Sequence, residues 1–123
     1  MAHAPRDLIS HLSIVPDPRR SNHNKTRHRL IDILVIAVLG VIAGADSWVE
    51  VAAFGEEKKE WLSTFFELDN GIPSHDTFAR VFALIDPDAF EKAFCGWVRA
   101  QQKARGVVAL DGKSVRRSYV SED

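Results

Sequence analysis

Leu30-Ile-Asp-Ile-Leu-Val-Ile-Ala-Val-Leu-Gly-Val-Ile-Ala-Gly44 is the most apolar run in the chain, and its reading decides the fold. As a membrane span it fails, because about fifteen residues are too few for a hydrocarbon core about 30 Å thick and Asp32 and Gly40 interrupt it. As a secretion signal it begins too late and lacks a convincing small-residue cleavage pattern after it. What remains is a central helix, apolar nearly all round because other helices enclose it. Gly44 is expected to end it in a left-handed conformation.

The flanking sequence supplies the enclosing helices. Upstream, Leu8, Ile9, Leu12 and Val15 fall at helical spacing over Asp7 to Val15, with Pro16 and Pro18 as stops. Downstream, Ser47-Trp-Val-Glu50 is a capping box. It opens one helix, straight or kinked, over residues 47 to 67, with Gly55 weakening its middle. Trp48, Val51, Ala52 and Phe54, then Trp61, Leu62, Phe65 and Phe66, form its apolar face, and Glu56 to Glu60 is a solvated stretch. Asp69-Asn-Gly71 is a turn, and Ser74 caps the next helix after Pro73. That helix buries Phe78, Val81, Phe82 and Ile85. Its outward residues Ser74, His75, Thr77 and Arg80 are candidate DNA contacts if the pair of helices acts as helix, turn and recognition helix. Any capped amphipathic helix offers similar polar residues. Asp86-Pro87 starts a last helix, to about Lys103, with Phe90, Phe94, Trp97 and Val98 as its core stripe.

At 123 residues and 46% apolar composition the chain suits one compact core. A single cysteine, Cys95, leaves no internal disulfide framework and is compatible with a reducing cytoplasm. The histidines show no metal-ligand spacing. Net charge is −1, but it is segregated: residues 1–30 carry six basic and two acidic side chains, 46–94 four basic and eleven acidic, and 95–123 six basic and three acidic. Basic ends permit local phosphate contact without a basic protein overall. The densest cations, Arg19, Arg20, Lys25, Arg27 and Arg29, lie among Ser, Asn and His with no apolar residue. This stretch is either an exposed arm able to follow a phosphate backbone or a solubilising loop.

Past the last helix the pattern changes. Val107 to Leu110 is an apolar run after a glycine, read as a short buried strand. Ser114 to Val120 is read as its antiparallel partner. Asp111 between them has two readings: a strand-end carboxylate suited to a divalent metal, or the first residue of a favoured Asp-Gly hairpin turn. Two strands alone leave unpaired edges that invite another chain. The fold expected is therefore mainly α, a helical domain over 1–105 followed by a terminal β-hairpin over 106–123.

Four stretches carry a family resemblance: Asp17-Pro-Arg-Arg; Arg27 to Gly44 with Ser47-Trp-Val-Glu; Gly71-Ile-Pro-Ser-His-Asp-Thr-Phe-Ala-Arg-Val-Phe; and Val108-Ala-Leu-Asp-Gly-Lys-Ser-Val-Arg. Together they resemble the N-terminal part of an H-repeat-associated (ISAs-type) insertion-sequence DDE transposase. The resemblance implies that the hairpin starts a ribonuclease-H-like nuclease domain. It also implies that Asp111 is the first of three metal-binding carboxylates holding Mg²⁺, with Lys113 and Arg116 as possible substrate contacts. Two-metal chemistry needs several carboxylates around a pair of ions, and only Glu122 and Asp123 follow Asp111. The chain alone is thus expected to be catalytically inactive and to bind no Mg²⁺ tightly. DNA is its expected partner; the alternative is an interaction module pairing with itself or with a full-length transposase. No membrane association is expected.

Overall fold

The computed structural model describes residues 5–19 and 27–105. Among these residues the regular structure is six helices and no strand: α1 (Arg6–Leu12), α2 (Leu30–Ile42), α3 (Trp48–Glu57), α4 (Lys59–Leu62), α5 (His75–Leu84) and α6 (Pro87–Arg105). The mainly helical expectation holds. The expected hairpin at 106–123 lies outside the described residues.

The apolar run forms α2, and four successive residues in it, Ile33, Leu34, Val35 and Ile36, have no exposed surface. Successive side chains on a helix point about 100° apart, so four in a row cover the whole circumference. Such a helix needs neighbours on every side. It packs against α1 and α3 and shares its core with Leu62, Phe66, Phe78 and Val81. At about 1.5 Å per residue its 13 residues reach roughly 20 Å. No described helix is long and apolar enough to cross a membrane. Gly44 takes φ +108°, the Ala45 N–H donates to the Gly40 carbonyl and the Gly44 N–H to that of Val41. This Schellman pattern is the glycine ending the sequence predicts.

The helices around α2 differ from expectation in instructive ways. α1 ends at Leu12, three residues early, yet Val15 stays buried because a turn folds it back, its N–H bonding to the Leu12 carbonyl at 3.1 Å. The single helix expected over 47–67 is two, broken at Lys58 (φ −101°, ψ 15°) and not at Gly55. Gly55 has another purpose. It is buried, and a Cβ there would stand 2.7 Å from Ile72 Cγ2. The missing side chain is a notch that seats Ile72.

The caps follow the sequence closely. Ser47 Oγ accepts from the Glu50 N–H at 3.2 Å; Glu50 Oε1 in turn accepts from the Asp46 N–H at 2.7 Å, one residue before the usual capping-box donor. Ser74 Oγ accepts from the Thr77 N–H and caps α5. Asp86 Oδ1 accepts from the Asp88 N–H at the start of α6, where Pro87 has no donor to lose. In α5, Phe78 and Val81 are buried, while Ile85 is buried beyond the helix end. In α6 the fully buried residue is Ala93; Phe90, Phe94, Trp97 and Val98 are half-buried. The rings of Phe90 and Phe94 extend an aromatic row instead, Trp48 to Phe82 at 4.9 Å, Phe82 to Phe90 at 5.5 Å and Phe90 to Phe94 at 6.2 Å between centroids. Further along, α6 packs on α1, with Gly96 against the His11 ring.

The notch is testable. Gly55→Ala is expected to lower stability in urea unfolding by about 1–3 kcal/mol, the usual cost of overpacking, despite the better helix propensity of alanine. Combined with Ile72→Ala the two costs should be less than additive. A more stable Gly55→Ala would show that Ile72 does not occupy the notch.

Candidate nucleic-acid interface

The cationic arm is held at its base. Arg19 wraps its guanidinium round Asp17, Nε donating to Oδ1 and Nη2 to Oδ2, each at 2.9 Å, while its Nη1 donates to the His28 carbonyl at 2.9 Å. Its backbone N–H also donates to Asp17 Oδ1. The fork satisfies both sides of a carboxylate at once, and hydrogen bonding from Arg19 holds the Asp17 carboxyl below its usual range. Thus the residues at the two ends of the 20–26 stretch are tied together. Arg19 is a clamp whose charge is largely matched, and its side chain is only 19% exposed. Arg20 and Lys25 lie outside the described residues.

Arg29 is committed elsewhere too. Its Nη2 donates to Asp32 Oδ1 at 2.9 Å, and the guanidinium lies 5.9 Å from the centre of the Phe66 ring. Asp32 is the one buried charged side chain among the described residues. Burial pushes its carboxyl up, Arg29 opposes that shift and Glu67 adds to it. The interruption in the apolar run is therefore a buried carboxylate hydrogen-bonded by a cation from the preceding turn.

Arg27 is exposed, and its backbone carbonyl accepts from Asn70 Nδ2 at 2.8 Å. That bond joins the arm to the Asp69-Asn70-Gly71 turn, where Gly71 takes φ +78° and Ile72 drops into the Gly55 notch. The chain then enters α5. The result is a groove of about 400 Å³. Arg19, Arg27 and His28 contribute from the arm, Asn70 and Ile72 from the turn, and Ser74, Thr77, Arg80, Val81 and Leu84 from one face of α5. Neither Arg27 nor Arg80 makes an ion pair among the described residues. Ser74 and Thr77 hydroxyls lie 3.2 Å apart at the mouth of the helix. Burial, then the charges of Arg27 and Arg19, push the His28 imidazole below its usual value.

Five of the residues expected from sequence to meet DNA thus line one groove: Arg19, Arg27, Ser74, Thr77 and Arg80. His75 does not; it is exposed, with Nδ1 3.6 Å from Asp76 Oδ1. Nor do α4 and α5 form a tight helix-turn-helix, since residues 63–74 separate them, where that motif has three or four. His28, Asn70 and Leu84 line the groove without having been singled out. Only the spacing of Leu84 from Thr77 and Arg80 on α5 was available in the sequence to find one of them. Asp111, Lys113 and Arg116 lie outside the described residues. Among the described residues no three His, Cys, Asp or Glu side chains are placed to hold a metal ion.

A helical domain with a cation-lined groove is the class of protein these features define. Residues 9–98 match the family described as DDE_Tnp_1-associated, and the chain belongs to that family. It is similar to the N-terminal region of H repeat-associated putative transposases. With the H repeat-associated putative transposase YhhI of Escherichia coli K12 it shares 40% identity over 116 residues, 93% of this chain and 30% of the relative. An uncharacterized protein in the dhlA 3' region of Xanthobacter autotrophicus is 54% identical over 109 residues, 86% of this chain and 37% of that protein. The inactive transposase YbfQ of E. coli K12 is 42% identical over 76 residues, 62% of this chain and 88% of its own length. The chain therefore spans about a third of the first two of these relatives. No solved structure matches it.

Two outcomes test the clamp. Arg19→Ala is expected to cost about 1–3 kcal/mol, with Arg19→Lys recovering little because an ammonium cannot span both carboxylate oxygens; equal stability of all three proteins would show that the arm base is not held this way. For His28 the sign follows from linkage. The unfolded chain takes up a proton near pH 6.5 while the fold resists it, so stability is present above that value and lost as pH falls through it toward the lower folded value. Acidification across that window should destabilise the wild type more than His28→Gln, as read from urea midpoints.

Proposed function

We propose that the chain is the DNA-associating N-terminal region of an insertion-sequence DDE transposase, working in DNA transposition and recombination in the cytoplasm and catalytically incomplete on its own. One observation carries this reading. Arg27 of the arm and Arg80 of α5, distant in sequence, line one groove together with Asn70, Ser74 and Thr77. Two exposed guanidinium groups with amide and hydroxyl donors between them suit phosphate oxygens. Two-metal phosphodiester chemistry needs several carboxylates around a pair of ions, which Asp111 by itself does not supply. In the complete family enzyme Asp111 would join further carboxylates to hold Mg²⁺, with Lys113 and Arg116 near the substrate.

An apolar groove supports a second reading. Ala37, Val38, Val41, Ile42, Trp48, Phe82, Phe90 and Phe94 line about 240 Å³ between α2, α3, α5 and α6. Val41 and Ile42 are each more than half exposed. This surface would let the domain pair with a full-length transposase and modulate it. Nuclease-resistant co-purification of the two, lost on Ile42→Asp, is the expected result; unchanged co-purification by Ile42→Asp removes the groove from that role.

Fluorescence anisotropy with labelled DNA tests the first reading. Binding should weaken steeply with salt. Arg80→Ala and Arg27→Ala should each flatten the slope of log affinity against log salt by about one, the equivalent of one phosphate contact. Absence of binding at low salt, or slopes that neither substitution alters, would overturn it.

A further inference from the structure

We infer that the groove between the arm and α5 receives an unpaired deoxynucleotide, its base against Ile72 and Leu84 and its flanking phosphates at Arg27 and Arg80. The inference rests on the DNA-associating reading and deepens it from DNA in general to a strand with a base out of its stack.

The lining of the groove argues for this. A site made only to lean on a duplex backbone presents cations and neutral donors to phosphate and sugar, and gains nothing from apolar side chains beneath charged oxygens. This groove has an apolar wall. Leu84 is 59% exposed. Val81 lies one helical turn before it on α5, and Ile72 is brought in by the Gly55 notch. The face of an unstacked base is apolar and its edge polar, the combination this wall and rim complement.

The number and placement of the cations agree. Three arginines line the groove, but Arg19 is taken up by Asp17, which leaves Arg27 and Arg80. Two cations at a concave site suit the phosphates on either side of one nucleotide. The polar groups that remain are of the kind that read a base edge. Asn70 commits its Nδ2 to the Arg27 carbonyl, which leaves its Oδ1 to accept. Burial and the charges of Arg27 and Arg19 disfavour the protonated His28 ring, and a neutral ring offers a donor on one nitrogen and an acceptor on the other. The volume of about 400 Å³ falls in the range of small-ligand pockets, roughly 300–1,000 Å³. Taking a base from a paired duplex costs a few kcal/mol, and least where pairing is already broken. The site should therefore favour single strands and mismatched or frayed positions over intact duplex.

The full chain is titrated into a labelled single-stranded oligodeoxynucleotide and into the blunt duplex of the same sequence, at one low salt concentration. The single strand is expected to bind on the order of tenfold more tightly, the size of one base-stacking contact. Leu84→Ser should abolish that preference while leaving the salt slope as it is, because it removes the apolar wall and changes no charge. Leu84 is exposed, so an unchanged urea midpoint will show that the variant is folded, and Leu84→Asn supplies a second uncharged variant. Equal binding of the two DNAs, or a loss on Leu84→Ser that is the same for both, overturns the inference and leaves the phosphate reading standing. No binding of either DNA overturns both.

Discussion

Four consecutive side chains with no access to water, Ile33 to Ile36, impose the constraint on which the molecule depends. A helix buried on one stripe can rest on a single neighbour. A helix buried all round cannot, and each fully buried aliphatic side chain contributes about 1.5–3 kcal/mol only while something covers it. α1 and α3 flank α2, and the remaining cover comes from residues on α4, α5 and the turn after α4. The short helices are in turn too short to be stable alone. α1 has seven residues and α4 four, so their helicity is a consequence of packing on α2. Core and secondary structure form together or not at all.

The groove is a by-product of how this core is closed. Residues 63–74 must carry the chain from the end of α4 to the start of α5, and they do so with a positive-φ glycine at 71, Ile72 in the Gly55 notch and Pro73 fully buried. The arm is drawn to the same place from the other end, by Asn70 holding the Arg27 carbonyl and by Arg19 holding the His28 carbonyl. Backbone carbonyls anchor both bonds. The position of the arm base therefore does not depend on the side chain of Arg27, which is left exposed.

Much of this was legible in the sequence, for a definable reason. Caps, glycine endings and amphipathic stripes are local, set within three or four residues, so Ser47, Ser74, Asp86 and Gly44 behave as read. Part of what escaped reading was long-range. Nothing adjacent to Gly55 announces Ile72 seventeen positions later, so the glycine read as a weak point in a helix when it is a packing notch. Not every miss was long-range: Asp17 and Asp32 stand only two and three positions from Arg19 and Arg29, yet spacing alone does not show that those cations fold back onto them. A cluster of cations was visible, but not its division into Arg19 and Arg29, which pair with carboxylates, and Arg27, which makes no ion pair among the described residues. The stretches that carry the family resemblance contain many of these structural devices. Asp17-Pro-Arg-Arg includes the clamp, and Gly71-Ile-Pro-Ser-His-Asp-Thr-Phe includes the turn, the notch filler, the cap and a core phenylalanine.

α5 joins the chemistry to the core. Its Thr77, Arg80 and Leu84 line the cationic groove, whereas Phe78 enters the core and Phe82 lines the apolar groove and touches both Trp48 and Phe90. One ten-residue helix thus forms a wall of both grooves. Its polar face can move only if its aromatic face repacks, and close-packed rings resist that because their contacts are lost within a fraction of an ångström. The aromatic row from Trp48 to Phe94 therefore sets how firmly Arg80 is aimed. A ligand that shifts α5 from either side must also change the shape of the other groove, because a single rigid element walls both.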